Sequence, residues 1–192
     1  NYAITQGTLA NSNYYINFTA NNFGITARPI TITADAGQAK LYGNSDTTLT
    51  YSVQANATNA GLVGSDTFAG SMTRAVGEIV GSYAISQGTL ANSNYMISFV
   101  SKDFAISPRP ITLTATPATK IYGNTDPTLT YSIQANAPNE GLVGSDTFAG
   151  ALSRASGSDV SLYAMTQGTL ANSNYTINFV SNDFEIQARP IT

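Results

Sequence analysis

The peptide Gln-Gly-Thr-Leu-Ala-Asn-Ser-Asn-Tyr stands unchanged at Gln6–Tyr14, Gln87–Tyr95 and Gln167–Tyr175, at spacings of 81 and 80 residues. Self-similarity at such a period restricts the fold to a tandem array, in which each module must close its own small core. Arg-Pro-Ile-Thr recurs in the same phase at Arg28, Arg109 and Arg189. Stretches 59–70 and 139–150 differ only at Ala60 against Glu140. The one-residue change of period falls between Ile30 and Gly43, whose counterpart Ile111–Gly123 is one residue shorter, so a loop is expected there.

With the Arg-Pro junctions as boundaries, 1–29 is the C-terminal third of a preceding repeat, and 30–110 and 111–192 are complete repeats. Tiling the chain as 1–81, 82–161 and 162–192 fits equally well, so the phase stays open. Either way a part-module is left over, which reads as a piece of a longer array. A module of about 80 residues can bury one core unaided.

Composition removes several function classes. Cysteine, histidine and tryptophan are absent. Disulfides therefore hold nothing together, and the common nucleophilic triads lack their base. The net charge is −3, distributed as +1 over 1–29, −1 over 30–110 and −3 over 111–190. This offers no basic footprint for nucleic acid and no polybasic patch for a membrane surface. No apolar run approaches membrane-spanning length, so no membrane insertion is expected. Acidic, cysteine-free repeats rich in Thr, Ser and Asn are associated with secreted or bacterial cell-surface proteins.

The apolar residues alternate with period two, the mark of strands. Ile30, Ile32 and Ala34 alternate with threonines, as do Ile111, Leu113 and Ala115. Leu49/Tyr51/Val53 and Leu129/Tyr131/Ile133 give a second strand, and Phe68–Met72 and Phe148–Leu152 a short third. The clearest is Tyr95/Ile97/Phe99, with copies at Tyr14/Ile16/Phe18 and Tyr175/Ile177/Phe179. Phe104 and Ile106 start a last strand running into Pro108-Arg109-Pro110. Stretch 54–63 breaks the alternation but holds Asn56, Asn59 and Gly61, leaving room for at most one helical turn. The expected fold is all-β or β-rich, with roughly six or seven strands per module. Proline sits at strand ends or edges and keeps the preceding arginine extended, so the Arg-Pro junctions predict modules joined end to end by a stiff link.

Lys-Ile-Tyr-Gly-Asn-Thr-Asp-Pro-Thr-Leu-Thr-Tyr at Lys120–Tyr131 resembles the Tyr-Gly variety of MBG repeat domains of large bacterial surface adhesins. The later Gly-Ser-Asp-Thr-Phe-Ala-Gly, Ser-Asn-Tyr and closing Arg-Pro fit the same pattern, and the first copy departs with Thr47 in place of Pro127. The resemblance implies β-modules, β-grasp-like, in the extracellular stalk of an adhesin. A small β-sandwich is the alternative, because no amphipathic helix is visible.

Few residues offer chemistry, and no catalytic, cofactor or metal site is expected. Lys40 and Lys120 read as solvated edge lysines; a lysine–Asn or lysine–Asp crosslink would need a buried lysine beside an acid. Asp46, Asp126, Asp66 and Asp146 stand singly in loops and read as turn-capping residues. Calcium needs six to eight oxygens, so a site assembled from two loops, or at a junction with Asp103 or Asp183, is the weaker alternative. Tyr14, Tyr95 and Tyr175 read as core, and Tyr15 faces solvent with Met96 and Thr176 as its copies, a poor basis for a shared glycan site. The expected role is a stalk or spacer that projects a distal binding domain. The partners would be neighbouring repeats, with the host or cell-surface ligand unknown. Carbohydrate- or protein-binding modules giving avidity are the alternative. Gly43 and Gly123 are expected to permit a turn, Tyr122 and Phe179 to fill cores, and Pro29, Pro110 and Pro190 to fix the junctions. Residues 1–29 carry strands without their partners, which makes a strand-exchanged dimer an expectation.

Overall fold

A computed structural model describes residues 1–191, and among them there is no helix, so none is long and apolar enough to cross a membrane. Two short strands come first, β1 (Tyr2–Ile4) and β2 (Asn21–Phe23), paired antiparallel. Seven follow in the first complete repeat: β3 (Arg28–Ala34), β4 (Ala39–Leu41), β5 (Tyr51–Val53), β6 (Thr73–Arg74), β7 (Gly81–Ser86), β8 (Tyr95–Val100) and β9 (Asp103–Ser107). The second repeats them as β10 (Arg109–Ala115), β11 (Ala118–Ile121), β12 (Tyr131–Ile133), β13 (Ser153–Arg154), β14 (Ser161–Thr166), β15 (Tyr175–Val180) and β16 (Asp183–Gln187).

The fold is all-β, and each repeat makes two small mixed sheets. In the second repeat one sheet runs β12-β10-β15 and the other β11-β16-β14-β13. The first repeat has the same orders, β5-β3-β8 and β4-β9-β7-β6. Strand β10 lies antiparallel to β12 and parallel to β15, with Arg109 opposite Tyr175 and Leu113 opposite Phe179. A parallel pair cannot be closed by a tight turn. The crossover from β10 to β15 is supplied by the strands of the other sheet, so the chain weaves between the two.

Alternation decides which face is buried. Ile111, Leu113 and Ala115 are buried while the threonines between them are half-exposed, and the β-branched threonines suit the pleated outer face. The core of the second repeat is continuous. Ile111, Leu113, Leu170 and Tyr175 form one cluster, and Ala115, Met165, Phe184 and Ile186 another, with Leu152 and Phe179 packed against both.

The chain divides into two compact units. One comprises Asn1–Asp35, Thr50–Thr73 and Ser86–Ser101; the other comprises Ala36–Leu49, Arg74–Ile85 and the chain from Lys102 onward. The second unit therefore holds the whole second repeat together with β4, β9 and most of β7.

Four expectations are corrected. Residues 14–18 form no strand, and Tyr14 is 74% exposed. Their counterparts β8 and β15 each lie on a partner strand, β3 and β10, that has no equivalent beside 14–18, so the alternating face there has nothing to bury against. Stretch 68–72 keeps only a single bridge, Ala69 to Ala91, and 148–152 the bridge Ala149 to Ala171. Tyr122 is not a core residue: it is 46% exposed at the turn after β11. Stretch 134–143 makes no helical turn and becomes a loop closed by the Ala137–Glu140 bridge.

Candidate functional site: the junction between repeats

The site grows from Arg109, the first residue of β10. Pro108 and Pro110 hold it in extended backbone, and its side chain turns into the loop that broke the sequence alternation. In that loop Asn139 adopts φ 66°, a left-handed conformation that asparagine tolerates better than most residues. The turn aims several oxygens at one point. The Arg109 Nε donates to Gly141 O (3.0 Å), and Nη2 donates to Asn136 Oδ1 (2.8 Å), Ala137 O (2.6 Å) and Glu140 O (2.9 Å). Nη1 reaches across to the preceding repeat, donating to Tyr42 O (3.2 Å) and Asn44 Oδ1 (2.8 Å). With all three nitrogens engaged, Arg109 is only 3% exposed. A planar guanidinium with five donors suits such a many-sided seat, where a lysine ammonium would not.

The preceding repeat contributes the turn Tyr42-Gly43-Asn44, which follows β4. The Tyr42 hydroxyl donates to Asp146 Oδ2 (2.9 Å), and the Tyr175 hydroxyl donates to the same oxygen (2.6 Å) while accepting from Val143 N (3.0 Å). The two rings meet edge to face, with centroids 5.5 Å apart at 75°. Burial, reinforced by Asp146, pushes the Tyr175 hydroxyl up to about 12 and raises Tyr42 as well. Asn44 Nδ2 donates to Asn139 Oδ1 (2.8 Å), and Val80 N donates to Asn174 Oδ1 (3.0 Å). Gly43 sits at φ +78°, and a Cβ there would lie well inside contact distance of Val143 Cγ2 and 2.9 Å from Cγ1. Glycine is required for close approach as well as for the turn.

The first repeat carries the same seat. Arg28 Nε donates to Gly61 O (2.9 Å), and its Nη2 to Asn56 Oδ1, Ala57 O and Ala60 O. Tyr95 donates to Asp66 Oδ2 (2.6 Å) and accepts from Val63 N (3.0 Å). Around it opens a cavity of about 300 Å³, lined by Arg28, Val63, Asp66, Asn94 and Tyr95 among others. No Tyr-Gly-Asn turn occupies it among the described residues, and Val63 is left 45% exposed.

The acids and lysines do not stand where the sequence suggested. Lys40 is buried, paired with Asp46 (2.6 Å) and with Glu78. Asp46 takes two bonds from Arg74, at 2.6 and 2.9 Å, and that guanidinium lies over the Tyr83 and Phe104 rings. The second repeat keeps Lys120–Asp126–Arg154 over Tyr163 and Phe184, and Ser158 stands where Glu78 would be. Asp46 and Asp126 are thus ion-pair partners, and Asp66 and Asp146 accept tyrosine hydroxyls; none of the four is a simple turn cap. The Arg74 guanidinium, helped by Lys40, holds the Asp46 carboxyl down at about 2 despite partial burial. An ionised acid facing a charged ammonium forms an ion pair, because amide formation needs the neutral acid and the free amine. Among the described residues no group of three or more acids gathers as metal donors would. The tyrosines once weighed for sugars are committed elsewhere: Tyr95 and Tyr175 are buried in the seats.

Sequence reasoning missed the arginine as the centre of the site. The signal was present: each Arg-Pro recurs in step with an Asn-Ala-x-x-x-Gly loop about 30 residues later, and the two are the halves of one seat.

Tandem all-β repeats that plug into one another without a flexible linker define a class of array-forming structural modules. Stretches 30–105 and 111–185 match the family described as MBG domain (YGX type), and the chain belongs to that family. Domains of this family occur as repeat modules of extracellular surface proteins. No curated protein and no solved structure matches the chain.

Proposed function

We propose that these repeats are stalk or spacer modules of a bacterial cell-surface adhesin, holding a distal binding domain away from the cell, without catalysis and without a required metal. The observation that carries this reading is the Tyr42–Arg109 junction. It spends an invariant tripeptide and a buried arginine on fixing one repeat against the next, and a spacer needs just that. Function then resides in length, stiffness and resistance to unfolding, with no pocket for a substrate.

Small-angle X-ray scattering of the chain, with calcium and then with chelator, tests it. A rod-like profile that chelation leaves unchanged is expected. Arg109→Met should broaden the distance distribution as the junction loosens. A compact profile in the parent chain, or extension only when calcium is present, would overturn the reading.

A further inference from the structure

The molecule contains one filled junction, and both of its halves occur again unfilled. The free seat is Arg28, Asn59, Val63, Asp66, Asn94 and Tyr95 in the first repeat. The free turn is Tyr122-Gly123-Asn124 in the second, with Val160 standing where Val80 stands in the filled junction. We propose that this seat takes the Tyr122–Asn124 turn of a second copy of the chain, so that copies associate head to tail.

The filled junction supplies the template. Tyr42 donates to Asp146, Arg109 donates to Tyr42 O and Asn44 Oδ1, Asn44 donates to Asn139, and Val80 N donates to Asn174. Every one of these groups has a counterpart of the same type at the free ends: Tyr122 for Asp66, Arg28 for Tyr122 O and Asn124 Oδ1, Asn124 for Asn59, and the Val160 amide for Asn94. Asn59 holds φ 60°, close to the 66° of Asn139, so the loop is already shaped. The Tyr95–Asp66–Val63 hydrogen bonds repeat those of Tyr175–Asp146–Val143 to within the same distances, 2.6 and 3.0 Å. The seat is therefore formed before anything enters it, which lowers the cost of binding.

The exposed groups agree from both sides. Arg28 Nη1 has no hydrogen-bond partner among the described residues, whereas the matching nitrogen of Arg109 has two. Val63 and Val160 are exposed, and so is Tyr122. At Gly123 a Cβ would meet only Arg189 Nη1, at 3.2 Å, whereas at Gly43 it would collide with the facing valine. The turn has its glycine and lacks its valine; the seat has the valine and lacks the glycine. The interface is heterologous, because the turn of one copy meets the seat of the next and each copy retains one free end.

Sedimentation velocity over a wide concentration range tests this on the 192-residue chain. The parent chain should gain mass with concentration in steps of one 20.1-kDa chain. Tyr122→Ala removes the turn's hydroxyl and ring, and Val63→Arg fills the seat; both positions are exposed, so the fold is kept, and circular dichroism confirms it. Each variant alone should sediment as a monomer at least tenfold beyond the concentration at which the parent associates. Mixed in equal amounts they should give dimers and nothing larger, since one variant retains the seat and the other the turn. A parent chain that stays monomeric throughout overturns the proposal. So does association that neither variant weakens, the outcome expected of strand exchange through residues 1–29.

Discussion

Single residues at the junction do unequal work from equal sequence. Gly43 and Gly123 have almost the same left-handed backbone, φ +78° and +85°, so alanine at either imposes a similar strain of about 1–2 kcal/mol. Only Gly43 faces Val143, so Gly43→Ala should cost a further ~1–3 kcal/mol from overpacking. The difference between the two variants in urea denaturation isolates the junction; equal losses would show that the Val143 contact contributes nothing. Arg109→Met strips the buried carbonyls of Ala137, Glu140 and Gly141 of their donor, and about 3 kcal/mol of stability should go with them. Phe179→Ala should cost about 3–5 kcal/mol, because that ring packs against both clusters of the second core. Tyr122→Ala should stay within ~0.5 kcal/mol, as its side chain is largely in solvent. What the sequence disclosed at this scale was the inward face: Tyr95, Tyr175, Ile111 and Leu113 are buried as their alternation predicts. The partners of Lys40 and Asp46 were hidden, because Arg74 lies 28 residues from Asp46 and its approach depends on strands from distant parts of the chain.

The strands were legible where one face meets the core and illegible where pairing alone defines them. β3, β8, β9 and their copies carry three apolar residues or two on one face and were read correctly. β4 and β11 are short and hold a lysine, and that charge concealed them; the lysine is tolerated because carboxylates gather around it. These ion pairs give the sheets a dependence on pH. The Arg154 guanidinium, with Lys120, lowers the Asp126 carboxyl from 3.8 to about 2, as Arg74 does for Asp46. Each acid then binds its proton less readily folded than unfolded, so its contribution is complete above about pH 4 and fades as pH falls towards 2. Asp126→Asn should flatten that acid slope in urea midpoints of the second repeat. At the alkaline end the sign reverses. Tyr175 titrates near 12 against 10.0 for the free side chain, so the junction holds below pH 10 and weakens as pH climbs to 12. Tyrosinate absorbance followed alongside near-ultraviolet circular dichroism should show the buried tyrosines ionising only as the junction opens; ionisation of every tyrosine near pH 10 in the intact fold would contradict this.

Across the whole chain, the repeat period announced the array, while the means of joining it lay outside what periodicity can reveal. The Arg-Pro dipeptide suggested stiffness through its backbone; the side chain of the arginine proves to be the fastening, with proline setting its direction. Because the Tyr42 turn of one repeat is bound into the seat of the next, the two complete repeats should share their stability. Calorimetry should give one coupled transition for the parent chain and two separated transitions for Gly43→Ala. Two transitions in the parent would mean that the junction transmits no stability between neighbours.

Each repeat carries a seat at one end and a turn at the other, written in the same residues every time. Recombination between repeats in the gene would therefore add or remove whole modules and leave every remaining junction matched. The length of such a protein can change from one generation to the next without any new contact having to be invented.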